Sequence, residues 1–498
     1  LVLRFSSERF AAQLERWDRG GEQAPPAASS PSSTSTPSNS RPELRIPLAS
    51  EVDVPSARAA IRFAYTGQVQ AGSVREVLEV RRQAAYLQIE GCAEACDEVL
   101  RGMMAAAASQ GDGDGGGGAG APPGVRPAAL EFYTHGALWP DPAVDKHPSF
   151  IAVIAAAKQQ VVSYFGNTLR VLNTPSLRQQ LLDLPAVAVE ALLESDSFGT
   201  DSESSVLLML ATWMQANYGK TDAGTRKRLG RQVRLVQLSK PYLSYVLPLL
   251  AADYEVSPNT PAGWFPVTVS EAAFIASFAG ASEKEQRSLL DDAELLSKSN
   301  IHSAAYSTAP RTQCVPEDGI GFAAHIPQRE LEEELAGLQP GGMALLLWTM
   351  EQQQFMFAQG LMCVVSIGWC HGGLSADVWM YCFQPAAYIT LSPRRFSDHA
   401  VPVLVSIGRR LAINRWHNGT RADSIVLRGG KEEPVHMKRG WGHRLVLPLR
   451  RPKRGAEAGR GGGGGGSLGA GGNRQALAAW EEYLHEGKIT CSLTLLPT

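Results

Sequence analysis

Between Val54 and Met104 the apolar residues recur at helical spacing in three short stretches, each closed by a residue that stops a helix. Pro55 can open the first stretch, because a first-turn proline gives up no needed hydrogen bond. Ala57, Ala60, Ile61 and Ala64 then share one face, and Thr66-Gly67 ends it, with glycine free to adopt the left-handed C′ conformation. Ser73, with Glu76 three residues on, predicts a capping box. Val77, Leu78, Ala84, Ala85 and Leu87 make the second apolar side. After Gly91, Cys92, Cys96, Val99, Leu100 and Met103 form a third stripe. Upstream, Phe10, Leu14 and Trp17 lie on one side of a helix over Ser7–Trp17, and Leu44, Ile46 and Leu48 alternate as in a short strand.

The helical period continues downstream. Leu181-Leu182-Asp183-Leu184-Pro185 leads into a helix carrying Ala188, Val189, Leu192 and Leu193. Ser202 is the expected N-cap of another, whose core face is Val206, Met209, Leu210, Trp213 and Met214. Arg234–Leu238 and Tyr242–Leu250 keep the pattern. From Cys314 the period shortens. Ala344–Trp348, Leu361–Ile367, Val378–Phe383 and Val401–Ile407 are the expected strands, Asn418-Gly419 is a hairpin turn, and Ile489, Cys491, Leu493 and Leu495 alternate as a closing strand. Ala476–Leu484 reads as a short helix.

Composition adds the boundaries. Residues 18–41 are rich in Pro, Ser and Thr and cannot bury enough apolar surface to order themselves. Residues 105–127 form a Gly/Ala-rich linker, and 450–473 a basic, then glycine-rich, insertion. The expected domains are 1–104, 128–297 and 314–498. The chain opens on Leu1-Val2-Leu3 and reads as though it starts within a domain. Its hydrophobic fraction of 44% allows ordinary cores. A formal charge of −2 argues against a general nucleic-acid binder, which needs a basic surface to displace counterions. Seven scattered cysteines fit a reducing compartment better than a disulfide scaffold. No apolar run approaches the roughly 20 residues that span a bilayer, and no signal peptide is visible.

Catalytic chemistry has little to rest on. Cys92 and Cys96 read as small buried hydrophobes, and Cys363, Cys370 and Cys382 lack zinc-type spacing. Gly219-Lys220-Thr221 resembles the end of a phosphate-binding loop, but Met214 stands in place of its first glycine and a helix precedes it. The ten histidines show no paired metal spacing. Glu332-Glu333-Glu334 reads as a solvated helix face. Arg450-Arg451-Pro452-Lys453-Arg454 is either a solvated basic loop or a nuclear import signal. No enzyme activity, cofactor or metal is expected.

Three resemblances give these pieces an architecture. Ile61-Arg62-Phe63-Ala64-Tyr65-Thr66-Gly67, then Val77-Leu78, then Ala85-Tyr86-Leu87-Gln88-Ile89, then Cys96 and Leu100, resemble the second half of a BTB/POZ domain. Leu184-Pro185, Leu192-Leu193, Asp196, Ser202-Glu203, Trp213 and the Arg231–Leu238 segment resemble a BACK domain. Gly440-Trp441-Gly442-His443, Trp480-Glu481-Glu482-Tyr483-Leu484 and Gly487-Lys488-Ile489-Thr490 are similar to a MATH (TRAF-like) region, as in BTB-BACK proteins of plants and green algae. The implied fold is multidomain α+β: a partial α/β BTB fold, an α-helical BACK bundle, then an antiparallel β-sandwich.

The resemblance implies a non-catalytic adaptor, a substrate receptor of a cullin-RING ubiquitin ligase in the cytoplasm, the nucleus or both. The implied partners are a cullin-3 type scaffold, a protein substrate held by the sandwich, and a second copy of the chain if the upstream BTB half is present. Neither nucleic acid nor membrane is expected. Phe10 and Tyr86 are carried over as the cullin face, and Trp416, beside the Asn418 turn, is the substrate-face candidate. The hydrophobic-x-Glu motif that often follows the Phe10 helix in the family is replaced by the 18–41 insertion, and neither Glu15 nor Glu22 substitutes well for its glutamate. This departure keeps a second reading open, a BTB scaffold or signalling protein that binds no cullin.

Overall fold

The computed structural model describes residues 2–21, 46–108, 127–141, 147–295, 304–337, 342–350, 353–370, 375–383, 404–405, 408–422, 424–429, 435–436, 441–448 and 480–497. The chain divides into two compact units, Leu1–Tyr164 and Phe165–Thr498.

The first unit is helical, and its helices begin and end where local chemistry dictates. Val54–Thr66 has proline in its first turn and ends on Gly67, at φ 64°, whose N–H returns to Phe63 O at 2.7 Å. Val74–Leu87 starts from Ser73, whose side chain accepts from Glu76 N. The Glu76 carboxylate answers Gly72 N at 2.7 Å, one residue before the position expected for a capping box. Cys92, Cys96, Leu100 and Met104 form the buried stripe of Cys92–Ala108, a strict four-residue repeat that takes in Met104 rather than Met103. Ala85, expected on the core side of its helix, is exposed. In the Glu8–Gly21 helix Phe10 is buried; the side chain of Trp17 lies outside the described residues.

Ile46 and Leu48 belong to no strand, and Leu44 lies outside the described residues. A strand needs a partner for its main-chain groups. Among the described residues of this unit the β pairing is a single bridge, Ser7 with Ile89. That bridge fastens the Glu8–Gly21 helix: Glu90 N donates to Ser6 O at 2.9 Å and Ser7 Oγ to Leu87 O at 2.5 Å. At the centre, Arg81 and Asp97 form a buried ion pair at 2.7 Å. Ser149 Oγ donates to the same carboxylate at 2.8 Å.

Ala128–Thr134 and most of Pro148–Phe165 also belong to this unit. The chemistry that draws them in is specific. Gln160 accepts from Ala129 N at 2.8 Å and donates to Met104 O at 2.9 Å. Phe132 stacks on Trp139 at 4.6 Å and meets Phe150 at 5.9 Å. Residues 109–126 lie outside the described residues.

The second unit starts with a helical layer. Ala186–Glu194 follows Pro185, and Glu203–Asn217 starts from Ser202, which accepts from Ser205 N. The latter helix is apolar all round: Val206, Leu207, Leu208, Met209, Leu210 and Ala211 are all buried, as in a helix surrounded by neighbours rather than lying on a surface. Trp213, within it, donates from Nε1 to Leu184 O at 3.0 Å. The helical pattern at Arg234–Leu238 is a single 3-10 turn, Leu235–Gln237. Tyr242–Val246 is a π turn that passes into Leu247–Val256. Pro248 explains the wide turn, since it has no N–H to donate and its ring crowds the carbonyl of Ser244.

Two larger antiparallel sheets follow in the same unit. One has the order Ile425–Gly429, Arg409–Ile413, Lys488–Leu495, Ile320–Pro327, Thr349–Met350, with Leu484–His485 also on Lys488–Leu495. The other runs Trp441–Pro448, Ser375–Phe383, Leu361–Cys370, Met343–Leu347, with Met356–Ala358 also on Leu361–Cys370. Trp369 of the second sheet packs edge-on, 6.0 Å between rings, against Trp480, which precedes the turn leading into Leu484–His485 of the first. Of the expected strand over 401–407, Leu404–Val405 is described. Residues 476–479 lie outside the described residues, and Glu481–Tyr483 is a 3-10 turn leading into a strand rather than a helix. The 450–473 insertion also lies outside.

Helices and sheets of this unit interlock. The turn at Gln359-Gly360 reaches into the helical layer, where Gly360 N donates to Ser205 Oγ at 2.8 Å and Tyr242 Oη donates to Gly360 O. The segment from Arg311 to Cys314 is tied in as well: Cys314 N donates to Thr200 O at 3.1 Å, and Arg311 is buried among Glu203, Ser195 and Gln232. All of these contacts lie within the second unit.

Candidate partner-binding surfaces

Tyr86 sits in the last turn of Val74–Leu87, where the helix ends on Gln88 in the left-handed conformation at φ 53°. It is 40% exposed, a large aromatic left at the surface of a well-packed unit. Its position is fixed from two sides. The Arg9 guanidinium lies 3.9 Å from the ring centre and donates to Tyr86 Oη at 2.8 Å and to Tyr86 O at 2.9 Å. The Tyr86 hydroxyl in turn donates to Pro47 O at 2.5 Å. A rigid, half-exposed tyrosine costs little entropy on binding and suits a contact residue.

Phe10 is the neighbour of Arg9 in sequence but is fully buried, so it supports this surface and offers none of its own. The reason is local: the Ser7–Ile89 bridge pins the start of its helix, and Ser7 Oγ accepts from Phe10 N at 3.2 Å, turning the ring inward. Arg9 and Pro47 were not legible as parts of this surface, because nothing in their local sequence places them beside Tyr86.

Trp416 lies in the second unit on the hairpin Trp416–His417 with Thr420–Arg421. The turn is as the Asn-Gly pair predicts, with both residues at positive φ, 50° and 74°. The indole stacks on His485 at 3.8 Å and 12°. Its Nε1 is buried and has no acceptor among the described residues. It forms one wall of an open groove of about 370 Å³ over the first sheet, whose lining includes His325, Asn414, Arg421, Lys488 and Thr490. The pairing of Ile320–Pro327 with Lys488–Leu495 sets His325 opposite Thr490. Asn414 Nδ2 donates to Thr490 Oγ1 at 2.9 Å. Only pairing between strands remote in sequence assembles this set.

Among the described residues no group of three His, Cys, Asp or Glu side chains could hold a metal ion. Three of the thiols are pushed away from the nucleophilic thiolate form. Burial pushes Cys491 well above its ordinary value and Cys314 up to about 12. Cys96 is raised by its hydrogen bond with Cys92 and then by burial. Lys220 donates to the Asn217 side chain Oδ1 at 3.2 Å from a 3-10 turn rather than a strand-to-helix loop. Glu332, Glu333 and Glu334 are exposed on the Gln328–Gly337 helix. No helix among the described residues is long and apolar enough to cross a membrane.

The second unit also buries two polar clusters. Glu203 receives Arg311 Nε at 3.0 Å and Arg234 N at 2.8 Å, and the Arg234 guanidinium reaches Asp196. Asp201 accepts from Gln359 N, and burial raises its carboxyl above the ordinary value of 3.8. Both clusters tie elements together and neither opens on a groove like that of Trp416, which makes them fasteners of the fold rather than sites.

No curated protein matches the chain. The family model described as BACK, "BTB And C-terminal Kelch", matches residues 166–247. The matched segment begins one residue after the start of the second unit and ends where the π turn passes into Leu247–Val256. It contains Leu184-Pro185, Leu192-Leu193, Asp196, Ser202-Glu203 and Trp213, and this similarity points to a protein-interaction role of the BTB-type adaptor class.

Proposed function

We propose that the chain is a non-catalytic adaptor, the substrate receptor of a cullin-RING ubiquitin ligase. The observation that carries this reading is the similarity of residues 166–247 to BACK, a module of BTB-type proteins. In this reading the first unit resembles the second half of a BTB fold and holds a cullin-3 type scaffold around Tyr86. The sheets of the second unit form a MATH-like region and hold the substrate. The chain then acts by proximity: it raises the effective concentration of a substrate lysine near the conjugating enzyme and supplies no acid, base or metal of its own. Such an adaptor works in the cytoplasm, the nucleus or both.

The test is a binding titration of the full chain with purified cullin. Tyr86→Ala removes a surface aromatic whose loss at a contact costs about 2 kcal/mol or more. The expected result is binding by the native chain and its loss in the variant, with circular dichroism unchanged. Absence of binding by the folded native chain would sink the ligase role and leave the scaffold reading in front.

A further inference from the structure

The first sheet of the second unit buries large apolar side chains on one face, and on the other Arg410, Arg428, Val426 and Ala323 are exposed while Ala412, Asn414 and Thr494 are buried. Leu411, Ile413, Leu493 and Ile326 point inward and are buried. Side chains alternate along a strand, so the register fixes the rows on the outer face. One row reads Arg428, Arg410, Thr494, Gly321 across four strands. Two residues along, the next reads Val426, Ala412, Ser492, Ala323. A third carries Asn414, Thr490 and His325, beside Trp416, Arg421 and Lys488.

Three features of these rows point the same way. Arg410 and Arg428 stand directly opposite each other, both exposed, and like charges so placed destabilise a sheet. No Asp or Glu occupies the rows, and among the described residues no ion pair reaches Arg410, Arg428 or Arg421; Lys488 meets Glu486 at 3.8 Å. Between the two basic ends Ala323 is exposed and Ser492 half-buried, small side chains over which another chain can lie close, while Ala412 and Thr494 are buried among their longer neighbours. Beside the far end, the buried Trp416 Nε1 has no acceptor among the described residues. Among the described residues this face therefore carries positive charge, although the chain's formal charge is −2.

We propose that this face binds an acidic, carboxylate-rich segment of a partner protein. The proposal rests on the adaptor reading for the partner's role, and it gives the substrate side a chemistry. The arginine row and the His325 row are four residues apart, roughly 13 Å at 3.3 Å per residue. An extended peptide of about four residues spans that distance, placing one carboxylate on the Arg410–Arg428 pair and another by Arg421 and Lys488.

The experiment measures binding of a short synthetic peptide alternating Asp and Ser to the full chain by calorimetry at two salt concentrations. Binding that weakens with salt, falls about tenfold or more in Arg410→Glu/Arg428→Glu, and is absent for a Lys/Ser peptide is the expected result. Because the double reversal could disturb the sheet, Arg428→Gln is measured alongside. It relieves the opposed charges, so its unfolding midpoint should hold or rise while peptide binding falls. No binding, binding indifferent to these variants, or equal binding of a single-stranded oligonucleotide would overturn the proposal. A cullin titration of the native chain separates the two readings. Cullin binding without peptide binding refutes only the acidic-segment proposal. Absence of cullin binding by the native chain refutes the ligase reading.

Discussion

The side-chain amide of Asn173 pairs with the main chain of Phe357 as a neighbouring strand would. Nδ2 donates to Phe357 O at 2.8 Å, and Oδ1 accepts from Phe357 N at 2.7 Å. The second amide proton goes to Leu169 O at 2.9 Å, so the group is fully used in a buried setting. One helix terminus is thereby locked to the Met356–Ala358 strand. Asn173→Asp removes both donors and faces a carboxylate with two carbonyls. Each buried polar group left unmatched costs about 1–3 kcal/mol. Chemical unfolding followed by tryptophan fluorescence should show a clearly lower midpoint. An unchanged midpoint would mean that the amide is no clamp.

Arg311 and Glu203 pair at 3.0 Å with side chains 0% and 2% exposed. Arg311 also donates to Ser195 O and Gln232 O, so every strong donor direction is answered within the unit. Removing one partner of such a pair costs about 3–5 kcal/mol, because the other charge stays buried. Arg311→Met and Glu203→Met should each destabilise strongly, and the double variant should cost much less than their sum. A double-mutant cycle from denaturant curves reads the coupling directly; additive effects would contradict it.

Gly360 stands at φ 73°, and a Cβ there would sit 2.6 Å from Tyr242 Oη and 2.7 Å from Ser204 O. Gly419, at φ 74°, has nothing within 4 Å of the same position. Gly419→Ala should therefore cost only the left-handed conformation, about 1–2 kcal/mol. Gly360→Ala should add an overpacking penalty of about 1–3 kcal/mol. Equal midpoints for the two variants would show that the 359–360 turn is not seated as described.

Asp201 gives the second unit a pH dependence of definite sign. Burial raises its carboxyl in the folded chain above the ordinary 3.8, against the lowering effect of Ser205 and Gln359 N. As pH climbs through that ordinary value, the unfolded chain loses its proton first. The folded state is penalised until pH passes the raised value, and the penalty is constant beyond. Asp201→Asn keeps an acceptor for Gln359 N and carries no charge. Its stability relative to the native chain should thus be greater at neutral pH than at acid pH near 3.8. The reverse trend would mean that the hydrogen bonds outweigh burial.

Local signals in the sequence were read correctly where the determinant is local. Gly67 closes its helix and Asn418-Gly419 turns its hairpin because their backbone angles are positive and few other residues take them cheaply. The apolar repeat of Cys92–Ala108 follows from helical geometry alone. The segment Ile320–Pro327 failed the same kind of reading. Its Gly321, Ala323 and Ala324 carry no strand signature, and it is a strand because Lys488–Leu495 pairs along its whole length. Ala476–Leu484 misled in the opposite sense: Trp480 is drawn against Trp369, and the chain leaves a 3-10 turn as a strand.

The candidate surfaces divide along the same line. Sequence picked out Tyr86 and Trp416 as single aromatics, but their settings are tertiary. Arg9 and Pro47 frame Tyr86 from the far end of the unit's chain. His325, Arg421 and Lys488 gather round Trp416 only through strand register. Phe10 is on the apolar side of its helix by period, yet whether such a residue faces core or partner depends on what covers it, and the Ser7–Ile89 bridge decides for the core.

By itself, then, the sequence determined the helical stripes with their caps, the Asn-Gly turn and the BACK-like segment, since each is written in spacings of a few residues. Tertiary structure alone decided that the helices from 165 and the sheets to 498 form one body, that Glu203 holds Arg311, and that Arg410 faces Arg428. Those relationships join residues far apart in the chain, and their energy comes from burial and pairing that no local pattern encodes.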